Sequence, residues 1–334
     1  MTWSERRIVT VLSSILAILC AILLVVLGIR YRETRDTEQP DAPVLSTEAQ
    51  NESFVFSELT YYNGSTTLSF SRNESGAWVW SDDPAFPLDD NTILAITDWL
   101  SNWNPLETIT DSEVIANSGL DEPDANLTAV TSSGKTSLVF GKKTDTGYYV
   151  RLNKDETTAY LIDPSLYDLM CVPIYDMCIL PELPALSEDS IQAIVISGAA
   201  TEDAAEGLST VLTAQQADDD ASVTTWRSSG ANVTDDPYVR ALLTDLASLA
   251  FVKCVIYRPS EEAASICGFD NPAKISVTYT TETGSDSALD LVIGAPLPDG
   301  SGRYVRLGED STIYLLPTES LDPLMHISAV GLEG

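Results

Sequence analysis

The chain has 334 residues and a formal net charge of −32, because 50 acidic residues stand against 18 basic ones. Such a charge repels phosphate backbones and anionic lipid headgroups, which excludes nucleic acid as a partner. The single histidine, His326, excludes multi-histidine metal sites and leaves little room for Ser-His-Asp or Cys-His catalysis. The sequence contains no P-loop and no dinucleotide-binding glycine motif. We therefore expect a non-enzymatic protein without catalytic residues, cofactor or metal ligands.

The N-terminal segment is apolar, and residues 8–29 carry no charged side chain. As a helix these residues extend over about 33 Å, enough to cross a hydrocarbon core of roughly 30 Å. They predict a transmembrane helix that contacts the lipid bilayer, preceded by a cytoplasmic tail at residues 1–7. No small-x-small cleavage site follows, so we expect the anchor to be retained. The short tail and the scarcity of Lys and Arg farther along predict a single-pass cell-membrane protein whose C-terminal domain lies outside.

Residues 30–52 have the composition of a linker, with Pro40 and Pro43 among polar residues. The remaining chain repeats itself at a spacing of about 150 residues. The segment Tyr148–Leu152 recurs as 303–307, and the preceding strands end in Gly141 and Gly294. Residues 53–180 and 181–334 are therefore predicted to be two repeats of one unit.

The predicted elements follow the same order in both repeats. Strands with alternating apolar residues come first, and amphipathic helices follow at 90–103 and 235–251. Short helical turns at 112–117 and 260–266 lead to Gly119 and Gly268, which are typical helix-stop residues. Four more strands joined by short turns indicate an antiparallel meander. The fold class is α+β, with two tandem repeats of a mostly antiparallel sheet with helices behind the N-terminal transmembrane helix.

Several of these motifs resemble a known family. The Trp78-Val79-Trp80 strand, the turn at 118–123, the strand end at Gly141 and the segment 148–152 are similar to a bacterial family catalogued as domain of unknown function 4340. The resemblance extends over roughly residues 55–330, as two copies. It implies a membrane-anchored, extracytoplasmic accessory role, with an ABC-type transporter permease as a plausible partner. It implies no catalytic residues.

Arg151 and Arg306 occupy the same place in the two repeats of a chain that is poor in basic residues. Two interpretations follow. Each guanidinium is a contact for an anionic ligand or a partner, or each is paired with a carboxylate of its own repeat. Because the arginine recurs in both repeats, we favour the structural ion pair.

Four cysteines follow the anchor: Cys171, Cys178, Cys254 and Cys267. An even number in an exported domain permits disulfides, and sequence proximity suggests the pairs Cys171–Cys178 and Cys254–Cys267. Buried free thiols are the alternative. The spacing of neither pair is that of a structural zinc site.

Two further features keep a second function open. Acidic pairs such as Asp89-Asp90 and Asp235-Asp236 stand where helices are expected to begin, so we interpret them as helix caps rather than calcium ligands. Six tryptophans and many carboxylates are compatible with a protein that binds or hydrolyses envelope glycan. The tryptophans have the spacing of core residues, so this function ranks second to the accessory role.

Overall fold

The structure, a computed structural model, describes residues 55–199, 207–216 and 224–332. The predicted tail at 1–7, transmembrane helix at 8–29 and linker at 30–52 lie outside these residues. Within the described ranges, no helix is long and apolar enough to cross a membrane. The described chain forms two mostly antiparallel sheets with a few helices, which confirms the α+β class. The chain divides into two compact units.

The first unit consists of the described residues up to Asp82 together with Ile93–Cys171. Its eight strands form one sheet in the order β3-β2-β1-β5-β6-β7-β8-β4. The elements are β1 (Phe56–Tyr62), β2 (Thr67–Arg72), β3 (Trp78–Trp80), α1 (Asn91–Ser101), β4 (Glu107–Ile109), α2 (Ser112–Asn117), β5 (Ala125–Thr131), β6 (Gly134–Lys143), β7 (Tyr148–Leu152), β8 (Ala159–Ile162) and α3 (Ser165–Met170).

The second unit consists of Asp83–Thr92 and the described residues from Val172 onward. Its sheet has nine strands in the order β12-β11-β10-β9-β14-β15-β16-β17-β13. The elements are a 3-10 helix (Ile174–Met177), β9 (Ile191–Ser197), β10 (Ser209–Gln216), β11 (Thr224–Ser228), β12 (Ala231–Asn232), α4 (Pro237–Ala247), β13 (Lys253–Ile256), α5 (Glu261–Ile266), β14 (Ala273–Thr280), β15 (Asp286–Pro296), β16 (Gly302–Leu307), β17 (Ile313–Pro317), a second 3-10 helix (Glu319–Leu321) and α6 (Asp322–Val330).

The two sheets have the same strand order. If the short edge strand β12 is left out, β9, β10, β11 and β13–β17 stand in the places of β1–β8. The boundaries differ from the predicted ones at 53–180 and 181–334, because residues 83–92 and 172–180 are part of the second unit. The second unit is therefore assembled from two separate stretches of chain.

Apolar spacing explains why these segments adopt their structures. Strand β5 alternates buried and more exposed residues, so Leu127 enters the core of the sheet. Helix α1 buries Ile93, Ile96 and Leu100, a spacing of three and four residues that forms one apolar stripe. Helix α4 begins after Asp236, whose carboxylate accepts hydrogen bonds from two backbone N–H groups of the first turn. The capping role predicted for this acidic pair is thus confirmed.

A glycine turn packs against the sheet in each unit. Gly119 and Gly268 follow α2 and α5 with φ of +78° and +84°, a conformation that favours glycine. The preceding carbonyl of Ser118 accepts a bond of 2.7 Å from Lys142 N, and the carbonyl of Cys267 accepts one of 2.8 Å from Ala295 N. At the strand glycines predicted from the repeat, Gly141 and Gly294, a Cβ atom would collide with these same carbonyl oxygens. This close approach fixes the turns against β6 and β15.

Candidate functional site

Arg151 and Arg306 lie at equivalent positions of the two sheets. Arg151 in β7 is paired with Val139 in β6, and Arg306 in β16 is paired with Val292 in β15. Both neighbouring strands have an irregularity just after this point, where the glycine is. The two arginines therefore occupy equivalent backbone positions in the two sheets.

Arg151 forms an ion pair within its own unit. Its Nη2 atom lies 3.1 Å from Oδ1 of Asp121, and its Nη1 atom donates to the carbonyl of Leu120 at 3.3 Å. The arginine side chain is only 13% exposed, whereas that of Asp121 is 78% exposed. The predicted structural ion pair is present here, and it holds the glycine turn against β7.

Arg306 has different neighbours. Its guanidinium carbon lies 4.0 Å from the ring centroid of Phe269, the residue that corresponds to Leu120. The carboxylate that corresponds to Asp121 belongs to Asp270, which accepts a hydrogen bond from the hydroxyl of Ser265. Among the described residues Arg306 forms no ion pair, and its buried Nε has no hydrogen-bond partner. The prediction of a carboxylate partner was wrong for Arg306, because the ring of Phe269 takes the place of that partner.

A shallow cavity of about 310 Å³ borders the first unit's turn. It is lined by Tyr149 of β7 and by residues of α2 and its cap, including Asp111 and Glu113. Two carboxylates disfavour an anionic ligand here. The surroundings of Arg151 therefore favour a structural role for this arginine.

The second unit has a cavity of about 360 Å³ at a different place, next to Arg303, Gly294 and Met325. Arg303 donates to the carbonyl of Gly294 at 2.9 Å, and burial lowers the pKa of its guanidinium. The corresponding residue of the first unit, Tyr148, instead stacks on Tyr167 with ring centroids 4.5 Å apart. Sequence reasoning missed Arg303, although the exchange of Tyr148 for arginine was visible as a mismatch within the repeated motif.

The four cysteines are free thiols in the structure. Cys171 is exposed, and the other three are buried. The thiol of Cys178 donates to the carbonyl of Ile179 at 3.5 Å, and its neighbour is the thiol of Cys254, a pairing that sequence proximity did not suggest. Cys267 lies beside Arg306, but burial has the larger effect and raises the pKa of its thiol.

The tryptophans and His326 take mainly structural positions. Trp78 and Trp226 are 3% and 0% exposed and belong to the cores of their sheets. Trp103 is partly exposed and lies edge-on to both Trp99 and Tyr160. His326 of α6 stacks on Tyr238 of α4 with ring centroids 3.6 Å apart. No group of three or more candidate metal ligands occurs within the part of the chain that the structure describes.

Comparison with known proteins gives one match. A family model described as "Domain of unknown function (DUF4340)" matches residues 48–177. No curated protein and no solved structure matches the chain.

Proposed function

We propose that this chain, whose residues 48–177 match the model of the DUF4340 family, is a membrane-anchored, extracytoplasmic accessory module without enzymatic activity. It is held in the bilayer by residues 8–29, and its second unit is a second copy of the same domain. Its partner is a membrane protein, the permease of an ABC-type transporter. The shared strand order of the two sheets supports the duplication.

The observation that supports partner binding is an exposed apolar side chain at the same place in both units. Leu106 is 57% exposed and Val252 is 56% exposed. Each precedes an edge strand, and each donates its backbone N–H to the strand next to it: Leu106 to Leu161 at 2.8 Å and Val252 to Leu315 at 2.9 Å. Single exposed apolar residues are common on protein surfaces, but here an exposed apolar residue occurs at the equivalent position of both units.

These residues also lie beside the outermost strands of their sheets, β4 and β13. An apolar side chain next to an edge strand adds area that a partner would bury. A contact made through Leu106 and Val252 thus buries apolar surface at the same place in both units.

The test is capture of a permease by the full-length chain. The chain and an ABC-type permease encoded beside it are solubilised together, and recovery of the permease is measured for Leu106→Asp, Val252→Asp and the double variant. We expect each single variant to lower recovery and the double variant to lower it by at least about tenfold, since an aspartate at a buried contact costs more than 1.4 kcal/mol.

Val55→Asp and Val330→Asp are the matched controls, because these valines are 61% and 65% exposed and lie elsewhere in the two units. They should recover as much permease as the unsubstituted chain. Recovery that does not change in the Leu106 and Val252 variants would contradict this contact, and failure to recover any permease would contradict the partner.

Glycan binding remains the second candidate, favoured by the partly exposed cluster of Trp99, Trp103 and Tyr160. A carboxylate lies next to it, since the indole of Trp99 is among the groups that lower the pKa of Asp163. The rings of Trp99 and Trp103 meet at 86°, so they form no continuous flat platform for a sugar. Quenching of tryptophan fluorescence by envelope glycan fragments, abolished by Trp103→Ala, would replace the accessory proposal with this one.

A further inference from the structure

Cys178 and Cys254 come from distant parts of the sequence and meet in the second unit. Cys178 is the residue after the first 3-10 helix, and its backbone is extended with φ −84° and ψ 129°. Cys254 belongs to the edge strand β13, against which that 3-10 helix packs. The two residues are 8% and 1% exposed, and their thiols are close enough for each to shift the pKa of the other. They are 76 positions apart along the chain.

From this juxtaposition we propose that Cys178 and Cys254 are a disulfide-forming pair that covalently fastens the 3-10 segment to the edge of the second sheet. The pairing differs from both pairs suggested by sequence proximity. Cys171 and Cys267 remain thiols.

Both cysteines lie at irregular places of the backbone. Cys178 is paired with Leu88 through an isolated bridge, and two backbone hydrogen bonds of 2.7 Å flank it, from Ile179 N to Pro87 O and from Asp89 N to Met177 O. Strand β13 is an edge strand paired with β17, and its register is irregular between Cys254 and Ile256. A disulfide requires Cβ atoms about 3.8 Å apart, so closure involves an adjustment of these two segments.

The corresponding place in the first unit has no such pair. Cys254 is paired with Tyr314 in β17, and the residue paired with the equivalent Tyr160 in β8 is Thr108. The cysteine pair is therefore a feature of the second unit, in which residues 83–92 pack with the chain from Val172 onward. That segment, Asp83–Thr92, contacts Cys178 directly through Leu88.

The oxidant is an organic disulfide, either a small molecule or a disulfide on a protein. The thiolate of Cys178 attacks one sulfur of the oxidant, the S–S bond breaks, one thiolate leaves, and a mixed disulfide remains on Cys178. Cys254 loses its proton and attacks Sγ of Cys178, which expels the second thiolate. The cysteine pair is oxidised by two electrons, and the two leaving thiolates take up the two protons.

Cys178 is suited to the first attack. The neighbouring thiol of Cys254 lowers the pKa of the Cys178 thiol, while the same contact and burial raise the pKa of Cys254. Both sulfurs are buried, so the exchange takes place during folding, before the 3-10 segment has docked on β13, or during local opening of that segment.

The test is refolding of the reduced full-length chain in detergent with a mixture of oxidised and reduced glutathione. Remaining thiols are then alkylated in denaturant, and the digested protein is analysed by mass spectrometry. We expect a crosslinked peptide that joins Cys178 to Cys254 and has lost two hydrogens, together with alkylated Cys171 and Cys267. The thermal midpoint of the oxidised protein should fall by about 5–15 °C when it is reduced.

Cys254→Ser and Cys178→Ala should each abolish this shift of the midpoint. Cys267→Ser is the matched control, because Cys267 is buried in the same unit, at 4% exposure, and it should keep both the crosslink and the shift. Alkylation of both Cys178 and Cys254, or a crosslink of either to Cys171 or Cys267, would overturn the proposal. The peptide analysis needs no variant, so a variant that fails to fold does not decide the outcome.

In the cell the bond also needs the oxidising compartment that the proposed extracytoplasmic location supplies. The same peptide analysis on cells whose thiols are trapped before lysis separates the two proposals. Cys178 and Cys254 could form the disulfide in the refolded protein and still be alkylated in the trapped cells. This result would contradict the extracytoplasmic location but not the pairing.

Discussion

The two units share a strand order but differ in the side chains at equivalent positions. In the first unit Arg151 is paired with Asp121, and Tyr148 stacks on Tyr167. In the second unit the equivalent arginine lies over Phe269, and a half-buried arginine, Arg303, replaces the stacked tyrosine. The backbone contacts of the glycine turns are the same in both units. The comparison teaches that strand register and the glycine turns define this fold, and that the residues around them can change.

The largest expected effect comes from the glycines that both units share. Gly141→Ala and Gly294→Ala place a Cβ against a backbone carbonyl, so each should destabilise its unit by about 2–4 kcal/mol. Urea unfolding followed by tryptophan fluorescence measures the loss. Glu74→Ala, at an exposed turn, is the control and should change little. A large loss for one glycine and none for the other would break the structural equivalence of the units.

An intermediate effect is expected where the units differ. Tyr148→Arg introduces the second unit's residue into the first, removes the stack with Tyr167 and partly buries a charge. We expect a loss of about 2 kcal/mol in the same unfolding measurement.

The reverse substitution, Arg303→Tyr, provides the control. It removes a partly buried guanidinium, so it should cost less than about 1 kcal/mol or stabilise the unit. Equal losses for both substitutions would mean that the exchange of tyrosine for arginine is not adapted to its unit.

The smallest effect concerns the partners of the two arginines. Asp121→Asn should cost less than about 1 kcal/mol, because that carboxylate is 78% exposed, and the cost should vanish in 1 M salt. Phe269→Leu removes the ring under Arg306 and should cost about 1 kcal/mol at either salt concentration. The same salt dependence for both variants would contradict the assigned contacts.

The sequence predicted the parts of the fold that depend on local pattern. Alternating apolar residues indicated the four meander strands, which are β5–β8, and the short helix α2 was predicted at its observed bounds, Ser112–Asn117. The contact of Arg151 followed from charge pairing. The contact of Arg306 did not, because it depends on whether Leu120 or Phe269 lies under the guanidinium, a difference that a charge argument ignores. The contact of Cys178 with Cys254 joins residues far apart in the chain, so no local pattern predicts it.

The segment Asp83–Thr92 has a consequence for synthesis of the protein. Phe86 is buried in the second unit, edge-on to Tyr257 at 5.2 Å, and the hydroxyl of Tyr257 donates to the carbonyl of Ala85 at 2.9 Å. These residues are separated by 172 positions, so the segment leaves the ribosome roughly 10–30 s before its partner at 5–20 residues per second. The apolar side chain of Phe86 must be shielded from water during this interval. A fragment that starts at residue 181 would lack this residue.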